Sequence, residues 1–99
     1  MRESEIEKEV CDYAEAQGFL VRKYNSPCVV GVPDRIVFGY GQVFLIEFKA
    51  PNGKVSPMQQ REIHKIRSHG CRVFIIDNIE SGKLIIDGAM MVGTTYVNS

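Results

Sequence analysis

The sequence lacks the closely spaced cysteine pairs that the usual cysteine-based sites require. Only Cys11, Cys28 and Cys71 occur, and no two of them form a CxxC pair. A structural zinc site or a disulfide scaffold is therefore not expected. The simplest interpretation is that all three are small buried hydrophobic residues in a reducing cytoplasm.

Long apolar runs and a net charge are also absent. No apolar run approaches the ~18 residues of a membrane-spanning helix, and the opening MRESEIEKEV is too charged for a signal peptide. We therefore expect a cytoplasmic protein without a membrane segment. Twelve basic residues balance twelve acidic ones, which excludes a uniformly basic coat that binds nucleic acid by bulk charge.

The chain has the length and the hydrophobic content of a single domain. Its 99 residues are 44% hydrophobic and include nine aromatic side chains, which is enough for one core, so we expect one domain over 1–99. The charge is unevenly distributed, because residues 1–18 sum to −4 and residues 47–72 sum to +4. A neutral total can therefore contain both a cation site and a polyanion site.

Hydrophobic spacing and capping residues predict two helices. Apolar residues recur at helical spacing over 3–17, acidic residues crowd the first turns, and Gly18 is suited to the end of that helix. A second helix is expected over 57–69. It is preceded by Ser56 as N-cap and carries Gln59 at the capping-box position.

Between and after these helices the pattern changes to that of strands. The predicted strands are 19–24, 34–38, 43–49, 72–77 and 83–86. The order of elements favours an α/β (α+β) fold with a central mixed β-sheet flanked by helices. The second and third strands are joined by a short glycine-containing turn and form a hairpin. Both faces of these strands are apolar, which predicts a place in the middle of a sheet covered on both sides. The segment 88–99 is apolar, but its period is too weak for an assignment.

Charged residues interrupt the apolar strands at one end of the hairpin. A turn centred between Tyr40 and Gly41 pairs residues whose numbers sum to 81, which places Asp34 opposite Glu47. Directly opposed residues have Cβ atoms ~5 Å apart, so two carboxylates repel unless a cation lies between them or one is protonated. Lys49 follows on the same face as Glu47.

Each of these charged residues has an ordinary explanation when it is taken alone. Asp34 could be a turn residue, while Glu47 and Lys49 could be solvated residues at a strand end. Together they favour a Mg²⁺ site, because this cation binds one or two carboxylates and retains several waters. Metal-assisted hydrolysis of a phosphodiester is the chemistry that such a set suits best.

Two helical residues could complete this site. Glu7 lies at the edge of the apolar stripe of the first helix, although a first-turn acid often serves only to stabilise the helix. Gln59 shares the core-facing stripe of the second helix, so it points towards the sheet. It is also the capping-box partner of Ser56, and the two roles do not exclude each other.

The order of these residues resembles a known nuclease signature. Gly31-Val-Pro-Asp34 followed by Glu47-Phe-Lys49 is similar to the PD-(D/E)XK motif, and Glu7 and Gln59 make it resemble the VRR-NUC branch. The resemblance implies a restriction-endonuclease-like core that uses Mg²⁺, with Mn²⁺ expected to substitute. Asp34, Glu47 and the Phe48 carbonyl would then bind the metal.

The same resemblance implies roles for the remaining site residues. Lys49 would activate water, Glu7 would bind the metal directly or through water, and Gln59 would support Lys49 or the substrate. Small stand-alone members of the family, from phages and bacteria, resemble Holliday-junction resolvases and form homodimers. Larger relatives carry the domain in DNA-repair nucleases.

The basic residues of the middle segment are candidates for DNA binding. They contact phosphates without reading sequence, and the set comprises Lys54, Arg61, Lys65 and Arg35. A solvated helix face is the alternative for any one of them. The apolar segment 89–97 is a candidate for a dimer interface.

We therefore predict a metal-dependent DNA endonuclease that acts as a homodimer on junctions, flaps or other structured DNA. Two alternatives are a non-catalytic DNA-binding module that retains the fold and a nuclease acting on RNA or a small nucleotide. The retained carboxylate pair counts against the first alternative. The absence of an aromatic stacking platform counts against single-strand binding.

Overall fold

The computed structural model describes the backbone of residues 1–97 and the side chains of residues 1–93. Within this range the chain forms three helices and four strands. In chain order they are α1 (Glu3–Ala16), β1 (Leu20–Lys23), β2 (Arg35–Gly39), β3 (Gln42–Phe48), α2 (Pro57–Ser68), β4 (Arg72–Ile76) and α3 (Ile79–Val97). No helix in this range is long and apolar enough to cross a membrane.

The four strands form one mixed sheet in the order β1-β2-β3-β4. The pairs β1–β2 and β2–β3 are antiparallel, whereas β3 and β4 are parallel and are connected through α2. This arrangement confirms the predicted α/β class with a central mixed sheet flanked by helices. The hairpin strands β2 and β3 occupy its middle, as expected.

The hairpin has the predicted register. Phe38 pairs with Val43, and the ladder ends with Arg35 opposite Ile46. Tyr40 and Gly41 at the turn both have positive φ angles, of 53° and 74°, as a two-residue type I′ turn requires. The tight turn therefore fixes which residues of the two strands face each other.

Helices cover both faces of the sheet. The larger core cluster packs α1 and α3 against one face, where its members from β2 and β3 are Val37, Phe44, Ile46 and Phe48. The smaller cluster joins α2 to the other face through Leu45, Ile63 and Val73. Cover on the α2 face is incomplete near the hairpin turn, where Phe38 and Val43 remain exposed.

The ends of α1 and α2 are where the capping residues predict them. Gly18 follows α1 with a φ of +99°, and Glu3 and Glu5 lie in the first turn of that helix. At the start of α2 the Ser56 hydroxyl accepts from the Gln59 backbone N–H, and the Gln59 side chain accepts from the Ser56 N–H. This reciprocal pair is the predicted capping box.

The predicted strand over 83–86 is wrong, because this segment lies inside α3. The side of α3 that is buried consists of Gly82, Ile86, Ala89 and Gly93, which recur at helical spacing. Three of these four residues are glycine or alanine. The buried positions therefore do not stand out as large apolar residues, and the helical period of the sequence is weak. The unassigned segment 88–99 continues α3 as far as Val97, and residues 98–99 lie outside the described residues.

The expectation that all three cysteines are buried is correct only for Cys11. All three are free thiols, but Cys28 is exposed and Cys71 is partly buried. Cys28 lies in the connection between β1 and β2, outside the helices and strands. Burial raises the pKa of the Cys11 thiol to about 11, so this group is inert at neutral pH.

The close approach of α3 to α1 predicts opposite effects for two glycine-to-alanine substitutions. A Cβ at Gly82 would lie 2.5 Å from a methyl group of buried Val10, whereas a Cβ at Gly88 would meet nothing within 4 Å. We expect Gly82→Ala to destabilise the fold by about 1–3 kcal/mol through overpacking. Gly88→Ala should stabilise it by about 0.5–1 kcal/mol through helix propensity.

Urea unfolding of both variants at equal protein concentration measures this difference. Because the substitution is the same and both positions lie in α3, the comparison isolates the contact with Val10. Equal unfolding midpoints for the two variants would show that the α1–α3 approach is looser than described.

Candidate active site

The predicted site residues converge where β3 ends and α2 begins. Asp34 immediately precedes β2, Glu47 is the second-last residue of β3, and Lys49 follows that strand. Side chains alternate between the faces of a strand, so Glu47 shares a face with Leu45, which belongs to the α2-side cluster. The site is therefore on the α2 side of the sheet.

Glu47 is the central group of this site. It is only 2% exposed and is the one charged residue in the buried part of residues 1–93. Its Oε2 accepts a hydrogen bond from Gln59 Nε2 at 2.8 Å and lies 3.3 Å from Lys49 Nζ. Its Oε1 is buried without a hydrogen-bond partner among the described residues. A buried oxygen without a hydrogen bond lowers the stability of the folded state unless a ligand binds to it.

Asp34 is fixed beside the backbone of β3. Its Oδ2 accepts a hydrogen bond from the Phe48 N–H at 2.7 Å, and its carbonyl accepts from the Tyr24 N–H at 3.0 Å. The backbone pairing of β2 with β3 stops one residue earlier, at Arg35 and Ile46. The carboxylate of Asp34 therefore takes the place of the next ladder bond and is held close to Glu47.

Burial and neighbouring charges raise the pKa values of both carboxyl groups. The pKa of Glu47 is raised from 4.5 to about 7, chiefly by burial and also by the charge of Asp34, while Lys49 opposes both effects. Burial also raises the pKa of Asp34; the hydrogen bond from Phe48 opposes this shift, while the charge of Glu7 adds to it. A cation between the carboxylates would relieve this repulsion.

Gln59 performs both roles that its position allows. Its Oε1 accepts from the Ser56 N–H at 3.0 Å in the capping box, while its Nε2 donates to Glu47. The backbone N–H of Gln59 donates in turn to the Ser56 hydroxyl at 3.2 Å. One amide side chain thus connects the first turn of α2 to the buried carboxylate of β3.

Glu7 and Arg35 pair with each other on the other face of the sheet. Arg35 Nε lies 2.7 Å from Glu7 Oε2, and both side chains are partly exposed. Arg35 is opposite Ile46, a member of the cluster on the α1 side. The structure therefore brings Asp34, Glu47, Lys49 and Gln59 together and places Glu7 with Arg35.

Sequence reasoning missed this pair, although strand alternation could have found it. Residue 35 necessarily points away from the face of Asp34, towards α1. The interpretation of Arg35 as a DNA contact and that of Glu7 as a metal ligand remain predictions, and each must accommodate the ion pair between them.

The other predicted DNA-binding residues lie on the outer surface of the molecule. Lys54 is exposed in the connection before α2, and Arg61 and Lys65 are exposed on α2. Arg61 and Lys65 line one cavity of about 340 Å³, together with Pro57, Gln60 and His64. Successive turns of α2 thus present two cations to solvent next to the end of the helix that holds Gln59.

The donor set fits a hard divalent cation. No three histidine, cysteine or carboxylate side chains of the described chain come together as a metal cluster. Mg²⁺ does not need one, because it usually binds one or two carboxylates and keeps several waters. The neighbouring carboxylates of Asp34 and Glu47, both with raised pKa values, supply the oxygen ligands. Glu47 Oε1, which has no hydrogen-bond partner among the described residues, is one of them.

The raised pKa of Glu47 predicts how stability depends on pH in the metal-free protein. The folded state binds a proton at about pH 7 that the unfolded chain binds at about pH 4.5. Stability should therefore fall as pH rises through this window. Glutamine does not ionise, so Glu47→Gln should not lose stability in this way. Between pH 5 and pH 8, the free energy of unfolding of the variant should therefore rise relative to that of the wild type by up to about 3 kcal/mol.

Urea unfolding in a chelator at a series of pH values measures this difference. A difference between the two proteins that stays constant across the series would contradict the buried, ionisable state assigned to Glu47. Added Mg²⁺ should reduce the slope in the wild type, because a bound cation favours the charged carboxylate.

Comparisons with known proteins identify the family of this chain. The VRR-NUC domain model matches residues 10–78. The chain is 33% identical over 86 residues to the protein named "Putative nuclease p44" of Acyrthosiphon pisum secondary endosymbiont phage 1, covering 86% of this chain and 92% of that protein.

Two solved structures are similar in fold. One, described as "VRR_NUC domain", has a TM-score of 0.78 and 31% identity, and the match covers 86% of this chain and 94% of that one. Another, described as "VRR_NUC domain protein", has a TM-score of 0.72 at 18% identity over 88% and 86% of the two chains; this likeness concerns the fold alone. The chain therefore belongs to the VRR-NUC family of nuclease domains.

Proposed function

We propose that this protein is a divalent-metal-dependent DNA endonuclease that acts as a homodimer on branched or otherwise structured DNA. The observation that carries the proposal is the buried Glu47 beside Asp34 and Lys49, whose Oε1 has no hydrogen-bond partner among the side chains and backbone that the structure describes. A carboxylate in this position destabilises the fold. Its retention is accounted for by a cation and a phosphodiester that use it.

Asp34, Glu47 and the Phe48 carbonyl are the groups that would hold Mg²⁺ or Mn²⁺. The metal, when bound, would polarise a phosphoryl oxygen and lower the pKa of water. Hydrogen bonds hold both carboxylates in position for this role. Phe48 N–H fixes Asp34, and Gln59 orients Glu47 through an amide that is itself held by Ser56.

Lys49 is the group that would orient the attacking water and handle its proton. Its Nζ lies 3.3 Å from Glu47 Oε2, and its side chain is mostly buried. Its backbone N–H donates to the Ile76 carbonyl of β4 at 2.9 Å, so the main chain that carries Lys49 is tied to the sheet. This placement suits general acid–base chemistry, which requires a proton-transfer group fixed within hydrogen-bond reach.

The charge distribution suits a phosphate backbone as the substrate. Residues 47–72 sum to +4, and exposed Lys54, Arg61 and Lys65 lie along the connection to α2 and on that helix. Such side chains contact phosphates without reading bases. We therefore assign them to DNA binding and expect target choice to depend on DNA structure rather than on sequence.

An apolar face of α3 supports the homodimer. Leu84, Met91 and Val92 are exposed and recur at spacings that place them on one side of the helix. The last two lie within the segment 89–97 that the sequence suggests as an interface. Two active sites related by a two-fold axis could cut both strands of a branched duplex.

Removal of the Lys49 amine or of the Asp34 carboxylate should strongly reduce cleavage. With Mg²⁺ or Mn²⁺ and a panel of junction, flap, duplex and single-stranded substrates, including RNA, we expect the wild type to cleave branched DNA and to be inactive in chelator. Lys49→Ala should lower the rate by about 100-fold or more, since general acid–base groups contribute that much. Asp34→Asn should remove metal-dependent cleavage as well.

Lys8→Ala is the control, because Lys8 is exposed on α1 and pairs with Asp12 in the adjacent turn, on a helix surface away from Lys49 and Asp34. Its activity should equal that of the wild type. Undiminished cleavage by the Lys49→Ala protein would refute the mechanism. Junction binding without cleavage of any substrate would favour the non-catalytic module.

The apolar face of α3 predicts the oligomeric state and how to change it. We expect the wild type to sediment as a dimer, and Leu84→Glu or Val92→Glu to sediment as a monomer, because a buried unpaired carboxylate opposes association. Glu9→Gln, at an exposed position of α1, should remain dimeric. A monomeric wild type, or dimeric glutamate variants, would exclude this face as the interface.

A further inference from the structure

An exposed apolar patch lies beside the candidate active site. It comprises Val29, Val30 and Met58, which are 42%, 69% and 46% exposed, and we refer to it as the valine–methionine patch. All three residues line the same cavity of about 170 Å³. A single exposed valine is ordinary on a protein surface, whereas a contiguous apolar group beside an active site is typical of a binding surface.

The backbone fixes this patch relative to the site. Gly31 has a φ of +89°, and a Cβ at this position would lie 3.1 Å from the backbone of Met58 and Gln59. The connection between β1 and β2 is therefore packed directly against the first turn of α2. Asp34 follows Gly31 after two intervening residues, and Gln59 follows Met58 directly. The patch is thus formed by the two segments of the chain that lead into Asp34 and Gln59.

The surroundings of the patch are cationic. The remaining lining of its cavity is Arg61, Glu62 and Lys65, so two positive side chains and one carboxylate border the three apolar ones. Arg61 and Lys65 can contact phosphates, but valine and methionine cannot. Apolar side chains on a nucleic-acid surface pack against base faces, and proteins that unstack DNA insert such residues between base steps.

The patch is better matched to DNA than to a second copy of this chain. Contact between two such patches across a two-fold axis would bring Arg61 and Lys65 of one copy near the same cations of the other. Like charges brought together at an interface oppose association. A nucleic acid brings phosphates to the cations and base faces to the apolar side chains.

We propose that the valine–methionine patch contacts the face of an unstacked base next to the scissile phosphate and thereby selects branched or unpaired DNA over continuous duplex. In a continuous duplex each base face is covered by its neighbours, so the patch has no partner there. At a junction or a flap, a base at the branch point is free to meet it. This proposal rests on the proposed function and identifies the group that recognises its substrate class.

A binding experiment in chelator tests the patch without catalysis. The probe is flap DNA with 2-aminopurine at the branch point, compared with continuous duplex that carries the same base. Binding of the wild type should change the fluorescence at the branch point. Val30→Ser and Met58→Ser should reduce that change and weaken flap binding by roughly tenfold, as expected from loss of a buried apolar contact. Duplex binding should stay within about twofold, because phosphate contacts supply it.

The matched control is Val43→Ser. Val43 is 51% exposed on β3 at the turn end of the hairpin, so the chemical change is the same at a surface away from the site. Val30→Leu retains an apolar side chain and should keep the flap preference of the wild type. If Val30→Ser and Val43→Ser give the same fluorescence and the same flap affinity, the patch does not contact the base.

Cleavage in Mg²⁺ provides the second measurement. The ratio of kcat/KM for flap over duplex should fall roughly tenfold in Val30→Ser and stay unchanged in Val43→Ser. An unchanged ratio in Val30→Ser would overturn the proposal. If the wild type cleaves no DNA, the proposed function fails, and the chelator experiment still decides whether the patch recognises an unstacked base.

Discussion

The burial of one carboxylate is the constraint on which the rest of the site depends. Glu47 lies in the middle of the sheet and is 2% exposed, where its charge is disfavoured by burial and by Asp34. Lys49 and Gln59 compensate at Oε2 only. An apolar residue here would make a more stable sheet. The fold therefore retains an unfavourable group at the point where the proposed chemistry needs an oxygen ligand.

Gln59 connects the buried carboxylate of Glu47 to the first turn of α2 at the surface. Because the same amide closes the capping box and binds Glu47, the start of α2 cannot move without disturbing the buried carboxylate. The helix carries Arg61 and Lys65, and its first turn supports the connection that leads to Asp34. The groups proposed to bind DNA and the groups proposed to cut it are thus connected by direct hydrogen bonds and packing.

Local signals account for the elements that were predictable. The hairpin register follows from a two-residue turn, and the start of α2 follows from Ser56 and Gln59, since a few neighbouring residues decide each feature. The position of α3 was not predictable in this way. Three of the four residues on its buried side are glycine or alanine, and the fit of Gly82 against Val10 depends on the shape of a helix distant in sequence.

The sequence alone determined the order of the elements from α1 to β4, the hairpin register that brings Asp34 towards Glu47, and the separation of acidic and basic segments. These are consequences of strand alternation, turn chemistry and composition, which act over short distances along the chain. Only the tertiary structure decided that Glu47 Oε1 finds no hydrogen-bond partner within the described part of the chain and that Glu7 pairs with Arg35. Both outcomes depend on how α1 and α2 approach the sheet, because burial and ion pairing between elements distant in sequence are set by packing.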